Sequence, residues 1–402
     1  MSETSYADLP ALAGHLRSVL ADKAKRMPGK SPFVLIYAFN GTGKTRLSTA
    51  FKDLAKVVDA DGQTTKRDTL YFNAFTEDLF NWDNDLKHDR QRVLELNNDS
   101  KFFEGLRELE MEVKIGKLLD RYTDFNFYID YDRRKKKGVK NDRDHADQLL
   151  RPAVTFFRKR EANGDPIPIK VSRGEENIFV WCFFLAFLQL ALDGDPAYEW
   201  VENIYIDDPV SSLDENNAII IGNHLVQLYR EAKRPIPTVV STHHTLFFNV
   251  LHYELKNHIS RPAQYILKRD RDTGGFRLRE QRSDTPQFYH VAALAELWEM
   301  AEAGTVRTFH FNVLRSILEK TAFFHGYSHF SMCIKTDDND VDGVLLQRYV
   351  DLLSHGKYSM YEPIEMGDDT MDKFRTVLRG FVERHPFNRE LVPKPAEDTE
   401  TS

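Results

Sequence analysis

The stretch Val34-Leu-Ile-Tyr-Ala-Phe-Asn-Gly-Thr-Gly-Lys-Thr-Arg46 decides how the first part of this chain folds. Its apolar start predicts a buried strand from Phe33 to Tyr37, and the pattern from Leu47 to Val57 predicts a helix. A glycine-rich loop between a strand and a helix presents backbone N–H groups and a helix N-terminus to an anion. The stretch therefore predicts a phosphate-binding P-loop, with Ala38 standing where the usual motif has its first glycine.

The polar residues of this loop suit a nucleotide. In such loops the lysine, here Lys44, reaches the β and γ phosphates, and the next hydroxyl, that of Thr45, holds Mg²⁺. The other residues predicted to bind the nucleotide are Asn40, Gly41, Gly43 and Arg46. The alternative is a glycine-rich turn that merely precedes a helix, and the rest of the chain weighs against it.

A second predicted strand, Asn203-Ile-Tyr-Ile-Asp207, is followed at once by Asp208 and Pro209. A carboxylate at a strand end, far along the chain from the P-loop, completes a nucleotide–Mg²⁺ site. We expect Asp207 to hold Mg²⁺ through water and Asp208 to orient or activate the attacking water. Many strands end in acidic turns, so the pattern indicates a site only together with the P-loop.

Three further motifs complete the order of an ABC-type ATPase head, which the chain resembles: Val171-Ser-Arg-Gly-Glu-Glu176, Ser211-Ser-Leu-Asp214 and Val239-Val-Ser-Thr-His-His244. The resemblance implies that two heads sandwich the nucleotides, so that the signature of one subunit touches the γ phosphate bound by the other. The residues that it adds to the nucleotide site are Ser172, Gly174, Glu175, Asp214 and His243. His243 is expected to be the histidine that senses the γ phosphate, and His244 stays an alternative for that role. The chain has no clear glutamine loop, although residues 76–78 lie where that family has one.

Composition allows two or three domains and excludes several classes of protein. The chain has 402 residues, of which 41% are hydrophobic, and its two cysteines exclude a disulfide framework, so a reducing cytoplasm is expected. The N-terminal residues lack the pattern of a signal peptide, and the apolar run from Ile178 to Leu192 is too short to span a bilayer. We therefore expect no membrane partner.

The net charge of −7 argues against a general nucleic-acid binder, which is more often basic. Two local stretches are basic nevertheless. Residues 133–143 carry seven basic side chains against one acidic, and residues 256–282 carry eight against three. Each stretch is either a nucleic-acid contact or a solvated loop, and the sequence leaves both interpretations open.

The C-terminal part is helical in character and contains a second candidate site. Arg315 and Glu319 lie four residues apart and share one face of a helix predicted from Val306 to Phe324. Farther on, Arg348-Tyr-Val-Asp-Leu-Leu-Ser-His355 has an Arg-x₆-His spacing that occurs in many helical ribonucleases. Without other information, the first pattern is equally that of an ordinary ion pair, worth roughly 0.2–0.5 kcal/mol.

Nearly end to end, the chain resembles the PrrC-type anticodon nucleases, bacterial enzymes that cut tRNA within the anticodon loop. The resemblance is carried by Tyr71-Phe-Asn-Ala-Phe-Thr-Glu-Asp-Leu-Phe-Asn-Trp-Asp-Asn-Asp-Leu86, by 207–214, by His310-Phe-x-x-Leu-Arg315-x-x-x-Glu319-Lys-Thr-Ala322, and by Gly326-Tyr327. Residues 90–165 and 328–343 depart from it most. It implies catalytic roles for Arg315, Glu319 and His355, with Asp208 acting in the head. The candidate RNA contacts are Asp284, Arg348 and Lys320.

The chemistry implied by the resemblance needs no metal in the nuclease site. The 2′-hydroxyl of the RNA attacks the adjacent phosphorus, one side chain takes that proton, and another gives a proton to the departing 5′ oxygen. The arginine neutralises charge on the phosphate, and the ends are a 2′,3′-cyclic phosphate and a 5′-hydroxyl. Which of Glu319 and His355 is base and which is acid stays open.

The expected architecture is an α/β ABC-type P-loop NTPase domain over residues 1–283, a mainly α-helical, HEPN-like nuclease domain over 284–390, and a disordered tail over 391–402. The resemblance implies ATP or GTP with Mg²⁺ in the head, and it raises a thymidine nucleotide as a further ligand. Its implied partners are the tRNA anticodon stem-loop and further copies of the chain in a homodimer or higher oligomer. It also implies that the protein is an antiphage toxin, which a type I restriction–modification complex keeps silent.

The alternative function is a nuclease-free ABC-type ATPase switch, in phage defence or DNA repair, that recruits a separate effector. It depends on the same head and treats Arg315 and Glu319 as structural. A DNA-repair ATPase in particular is disfavoured, because the interval from Lys44 to Ser172 is too short for long coiled coils.

Overall fold

The chain divides into two compact units, Met1–Thr285 and Pro286–Ser402. The sequence placed its boundary between residues 283 and 284. The structure, a computed structural model, describes residues 3–59, 64–73, 80–83, 93–96, 111–131, 151–158, 168–210, 213–270, 273–281, 289–307, 310–334, 347–348, 350, 367–385 and 387.

The first unit consists of a main sheet, a smaller sheet, a short hairpin and helices around them. Its strands are β1 (Glu3–Tyr6), β2 (Phe33–Tyr37), β3 (Val57–Val58), β4 (Thr64–Lys66), β5 (Thr69–Asn73), β6 (Phe80–Asp83), β7 (Val93–Leu96), β8 (Phe125–Asp130), β9 (Ala153–Arg158), β10 (Asn203–Asp207), β11 (Thr238–Thr242), β12 (Ala263–Arg269) and β13 (Phe276–Glu280). Its helices are α1 (Leu9–Arg26), α2 (Lys44–Asp53), α3 (Met111–Leu119), α4 (Arg173–Asp193), α5 (Glu215–Glu231) and α6 (Thr245–His258).

The main sheet has seven strands in the order β1-β13-β12-β2-β11-β10-β5. The five strands from β12 to β5 are parallel, and β13 and β1 continue the sheet antiparallel beyond β12. The strands β12 and β13 pair with each other antiparallel along 265–269 and 276–280. The smaller sheet is antiparallel, in the order β6-β7-β9-β8. A parallel sheet with helices on its faces is the architecture of an α/β P-loop domain.

The strand β2 is buried on both of its faces, which is why its sequence is continuously apolar. Side chains alternate across a strand, and Phe33, Leu35 and Tyr37 point into the core that contains α4. Val34 and Ile36 point into the opposite core, which α1 and α2 cover. The P-loop strand is therefore fixed at the centre of the unit by packing on two sides.

The helix α4 is the apolar run that follows the predicted signature. It begins with a capping box between Ser172 and Glu175 and ends at Gly194, whose φ of +80° is left-handed. By length and composition it could cross a membrane, but 78% of its most apolar window is buried inside the protein. The helix α4 is therefore part of the core of the first unit.

The second unit is helical in its described residues. Its helices are α7 (Tyr289–Glu302), α8 (His310–Phe324) and α9 (Asp368–Arg384), with a 3₁₀ segment at Phe330–Cys333. Their apolar faces form one core, to which α8 contributes Phe311, Leu314 and Leu318. The predicted helix 306–324 is shorter at its start, since α8 begins at His310, where the imidazole Nδ1 accepts the N–H of Arg307 at 2.8 Å.

Candidate functional site

Three motifs that are far apart in the sequence meet at one edge of the main sheet. The strands β2, β11 and β10 are parallel neighbours, so their carboxyl ends lie side by side. The P-loop follows β2, His243 follows β11, and Asp208 follows β10. Ligands of open α/β sheets bind outside the carboxyl ends of the strands, so this edge is the candidate nucleotide site.

The P-loop holds its lysine inside a backbone cradle. Gly41 and Gly43 have φ of +82° and +103°, a conformation that glycine adopts without strain. Lys44 is 7% exposed, and its Nζ donates to the carbonyl of Ala38 at 3.2 Å and to Oδ1 of Asn40 at 3.3 Å. No side chain caps the N-terminus of α2. A buried cation beside an uncapped helix N-terminus fits the phosphates of a nucleotide.

Asp207 is fully buried next to the first turn of α2. Its carboxylate accepts the hydroxyl of Thr45 at 2.8 Å and the hydroxyl of Ser241 at 2.6 Å. Burial raises the pKa of Asp207, while these two hydrogen bonds oppose the rise. A carboxylate and a hydroxyl in contact form an oxygen donor set that fits Mg²⁺ beside phosphates, as the sequence predicts for Thr45 and Asp207.

Asp208 is the most constrained residue of the site. Its φ is +52°, in the left-handed region that a non-glycine residue rarely adopts. Its carboxylate accepts the ring Nδ1 of His243 at 2.5 Å and the hydroxyl of Thr242 at 3.0 Å, and Lys44 Nζ lies 3.7 Å away. Burial raises the pKa of Asp208, but the hydrogen bond and charge of His243, followed by the charge of Lys44, outweigh it and leave the pKa below its usual value. A charged carboxylate therefore lies between the lysine and the histidine.

The two motifs that the ABC resemblance assigns to a partner head begin helices. Ser172 accepts the N–H of Glu175 at 3.3 Å, and the carboxylate of Glu175 accepts the N–H of Ser172 at 2.6 Å. Gly174 lies in the same first turn of α4. Asp214 caps α5 and is exposed, as is Arg46 on α2. Their predicted contacts with a second copy stay a prediction.

In the second unit, Arg315 and Glu319 form the ion pair that their spacing indicated. Arg315 Nε donates to Glu319 Oε1 at 2.7 Å, and the two side chains are 18% and 50% exposed. The guanidinium also lies 5.0 Å from the ring centre of Phe330, in the 3₁₀ segment that follows α8. The next residue, Lys320, is exposed. The carboxylate and the aromatic ring together fix the orientation of the guanidinium.

Comparison with known proteins shows which family this chain belongs to. The family model described as an AAA domain matches residues 150–382. An anticodon nuclease of Escherichia coli is 32% identical over 349 residues, which are 81% of this chain and 82% of that protein. The chain belongs to the PrrC-type anticodon nuclease family. Its first unit is the P-loop ATPase domain of such a nuclease.

Two solved structures of Smc heads also match, each with a TM-score of 0.27. One, derived from Pyrococcus furiosus and bound to the C-terminal domain of ScpA, is 12% identical over 45% of this chain and 37% of its own. The other, bound to the C-winged helix domain of ScpA, is 13% identical over 44% of each chain. These similarities are too weak to support any conclusion. The fold of the first unit is shown by its own strand order.

Several residues singled out in the sequence lie outside the described residues. They include His355 and Asp284, with 76–78, 211–212 and the basic stretch 133–143. Arg348 lies in the described segment 347–348, and its role stays a prediction, as does that of Lys320.

Two residues of the nucleotide site were missed by the sequence reasoning. Ser241 and Thr242 are buried at the end of β11, and each donates its hydroxyl to one of the two adjacent carboxylates. The signal was present, since two consecutive hydroxyl residues end the strand just before a histidine. Only the pairing of β11 with β10 reveals what the hydroxyls contact in this family member.

Proposed function

We propose that this protein is a nucleotide-regulated endoribonuclease that cuts tRNA within the anticodon loop without a metal in its nuclease site. The observation that carries the proposal is the ion pair between Arg315 and the half-exposed Glu319 on α8, in a chain of the anticodon nuclease family. The relative from Escherichia coli is named an anticodon nuclease. The helical unit is proposed to be HEPN-like.

In the proposed reaction, the RNA supplies its own nucleophile. The 2′-hydroxyl attacks the adjacent phosphorus, the bond to the 5′ oxygen breaks, and the products carry a 2′,3′-cyclic phosphate and a 5′-hydroxyl. Arg315 neutralises charge on the phosphate oxygens, because its planar fork suits that geometry. Glu319 and His355 share the transfer of the two protons, one as base and one as acid.

The head regulates this reaction through a nucleotide, ATP or GTP, bound at the P-loop. Lys44 and the N-terminus of α2 hold the phosphates, and Thr45 and Asp207 hold Mg²⁺, which neutralises phosphate charge when bound. Asp208, aligned by its hydrogen bond with His243, orients or activates water for hydrolysis. Ser172, Gly174, Glu175 and Asp214 of a second copy complete each site, so the active form is at least a homodimer.

The biological setting follows from the family resemblance. We propose a cytoplasmic antiphage toxin that is silenced by a type I restriction–modification complex, with a thymidine nucleotide as a further ligand of the head.

The deciding experiment is to map the ends of cellular tRNA after expression of the protein and after incubation with the purified protein. Wild type should leave cuts in an anticodon loop with cyclic phosphate and 5′-hydroxyl ends. His355→Ala and the near-isosteric Glu319→Gln should leave tRNA intact while nucleotide hydrolysis persists. Lys44→Ala should disturb regulation by nucleotide without removing the cutting residues.

The same experiment tests the alternative. If wild type hydrolyses nucleotide and leaves every tRNA intact, the protein is instead an ATPase switch that recruits a separate effector. Loss of both activities in His355→Ala would contradict two separable sites.

A further inference from the structure

The turn that ends α8 exposes aromatic rings to an unusual degree. The last two residues of α8 are phenylalanines, and both side chains are almost fully exposed: Phe323 is 88% exposed and Phe324 is 86% exposed. The helix is closed by Gly326, whose φ is +73° and whose N–H bonds to the carbonyl of Phe323 at 3.0 Å. Contiguous exposed apolar groups mark an interaction surface more often than chance does.

The rings beyond this turn are held in place by one another. His325 stacks on Tyr327 with ring centres 5.7 Å apart and planes 23° apart. The ring of His325 also contacts the ring of His385, with ring centres 5.1 Å apart, and the ring of Phe324 edge-on, with ring centres 5.5 Å apart. Rings fixed by such contacts lose little freedom when a flat ligand covers them. We name the group formed by Phe323, Phe324, His325 and Tyr327 the aromatic turn.

The sequence around the aromatic turn contains two lysines, Lys320 and Lys335, and no aspartate or glutamate between them. Acidic residues flank this stretch at Glu319 and at Asp337, so its positive charge is local. Aromatic rings interleaved with basic and polar groups are typical of surfaces that bind single-stranded nucleic acid, where bases stack and the backbone meets positive charge.

The aromatic turn also lies at the right distance from the proposed cutting residues. Phe323 is four residues after Glu319, one helical turn or about 6 Å along the axis, and it lies near the same face of α8. Nucleotides in a stacked strand follow each other at about 3.4 Å. A phosphate at Arg315 and Glu319 thus places a base one or two nucleotides away over the aromatic turn.

We infer that the aromatic turn is a stacking platform for one or two unpaired bases of the RNA loop that Arg315 and Glu319 cut. The inference rests on the proposed function, and it adds the residues that hold the substrate. A loop rather than a duplex is the occupant, because only unpaired bases can leave their stack and lie on a protein ring.

Binding measurements test this inference independently of cleavage. The full-length protein is titrated against a fluorescent anticodon stem-loop RNA and against the same stem extended into a closed duplex. Phe323→Ala and Phe324→Ala should each weaken loop binding roughly tenfold and raise KM more than they lower kcat. Phe323→Tyr and Phe324→Trp keep a ring and should bind within about twofold of wild type. Duplex binding should not change.

Two controls complete the design. Tyr253→Ala removes a ring that is 63% exposed on α6 of the other unit, and it should leave loop binding unchanged. Melting temperature and mass by light scattering are measured for every variant. An unchanged melting temperature is expected because the deleted rings are exposed.

The outcomes separate this inference from the proposed function. If wild type cuts no tRNA but the alanine variants still lose loop binding, the proposed function fails and the platform stands. If the alanine variants bind the loop as wild type does, the platform is overturned, whatever cleavage shows. If instead they lower the oligomeric mass and leave RNA affinity intact, a second copy of the chain is the occupant and the inference is wrong.

Discussion

Replacing Asp208 with asparagine removes charge from the nucleotide site while keeping its shape. The residue has a φ of +52°, and asparagine tolerates this conformation about as well as aspartate does. The amide oxygen can keep the bonds that Oδ1 accepts from the hydroxyl of Thr242 and from the backbone N–H of His243, and the amide NH₂ then faces the ring of His243 in place of Oδ2. What the D208N variant loses is the negative charge that faces His243 Nδ1 at 2.5 Å and Lys44 Nζ at 3.7 Å.

The cost of this loss to the folded head can be worked from its contacts. A hydrogen bond to a charged group contributes about 1.5–3 kcal/mol, and a neutral one about 1 kcal/mol. The ion pair adds little more, since Lys44 keeps Ala38 and Asn40 as acceptors. We therefore expect a destabilisation of about 1–2 kcal/mol, which lowers the melting temperature by roughly 4 °C. Added Mg-nucleotide should reduce the difference, because phosphates then surround Lys44.

Hydrolysis should suffer far more than binding. A positioned base contributes about 10²–10⁴-fold to a rate, so D208N should hydrolyse nucleotide at least ~100-fold more slowly. Nucleotide affinity should stay within about fivefold of wild type, because the P-loop contacts are untouched. The assay combines steady-state hydrolysis with titration of a fluorescent nucleotide analogue. Asp208→Ala serves as the comparison, since it also deletes the acceptor and adds about 1 kcal/mol of backbone strain. Hydrolysis close to the wild-type rate, or loss of nucleotide binding together with hydrolysis, would refute the role given to Asp208.

Three further substitutions have defined outcomes. Thr45→Val removes the hydroxyl that contacts Asp207 at 2.8 Å, and it should raise the Mg²⁺ concentration needed for half-maximal hydrolysis roughly tenfold, measured by Mg²⁺ titration. Gly222→Ala on α5 would place a Cβ 2.8 Å from Val250 Cγ1, so we expect a loss of about 1–3 kcal/mol of stability, seen as a lower melting temperature. Burial lowers the pKa of His224 to about 4, whereas an unfolded histidine titrates near 6.5. Wild type should therefore lose on the order of 2 kcal/mol as the pH falls from about 6.5 to about 4, and His224→Gln should lose less, measured by urea unfolding across that range.

Each of the three has its own control. Thr45→Ser keeps the hydroxyl and should retain the wild-type Mg²⁺ dependence. Gly14→Ala places its Cβ in open space on α1 and should be neutral or slightly stabilising, so equal losses at both glycines would contradict the packing argument. For His224, identical pH dependence in wild type and variant would show that another group controls acid unfolding.

Local patterns in the sequence were sufficient for the elements that carry their own signal. The strands Phe33–Tyr37 and Asn203–Asp207 lie where their apolar runs predicted them. The start of α2 was predicted too late. The helix begins at Lys44, three residues before the first apolar position at Leu47. A P-loop helix starts at its phosphate-binding residues, whose polarity hides the helical pattern.

The family resemblance also came from the sequence alone, since each stretch that carries it, such as 71–86, is local. The choice between the two adjacent histidines, in contrast, could not be made from the sequence. His243 and His244 are equivalent in the sequence, yet in the structure His243 contacts Asp208, whereas His244 accepts the N–H of Phe247 and caps α6.

The sequence by itself determined a P-loop domain, its two carboxylates and the Arg315–Glu319 pair, because each is encoded within a few consecutive residues. Tertiary structure alone decided that Lys44, Asp208 and His243 share one network, because β11 inserts between β2 and β10. Strand order depends on how distant segments bury their apolar faces together, and no local spacing in the chain records it.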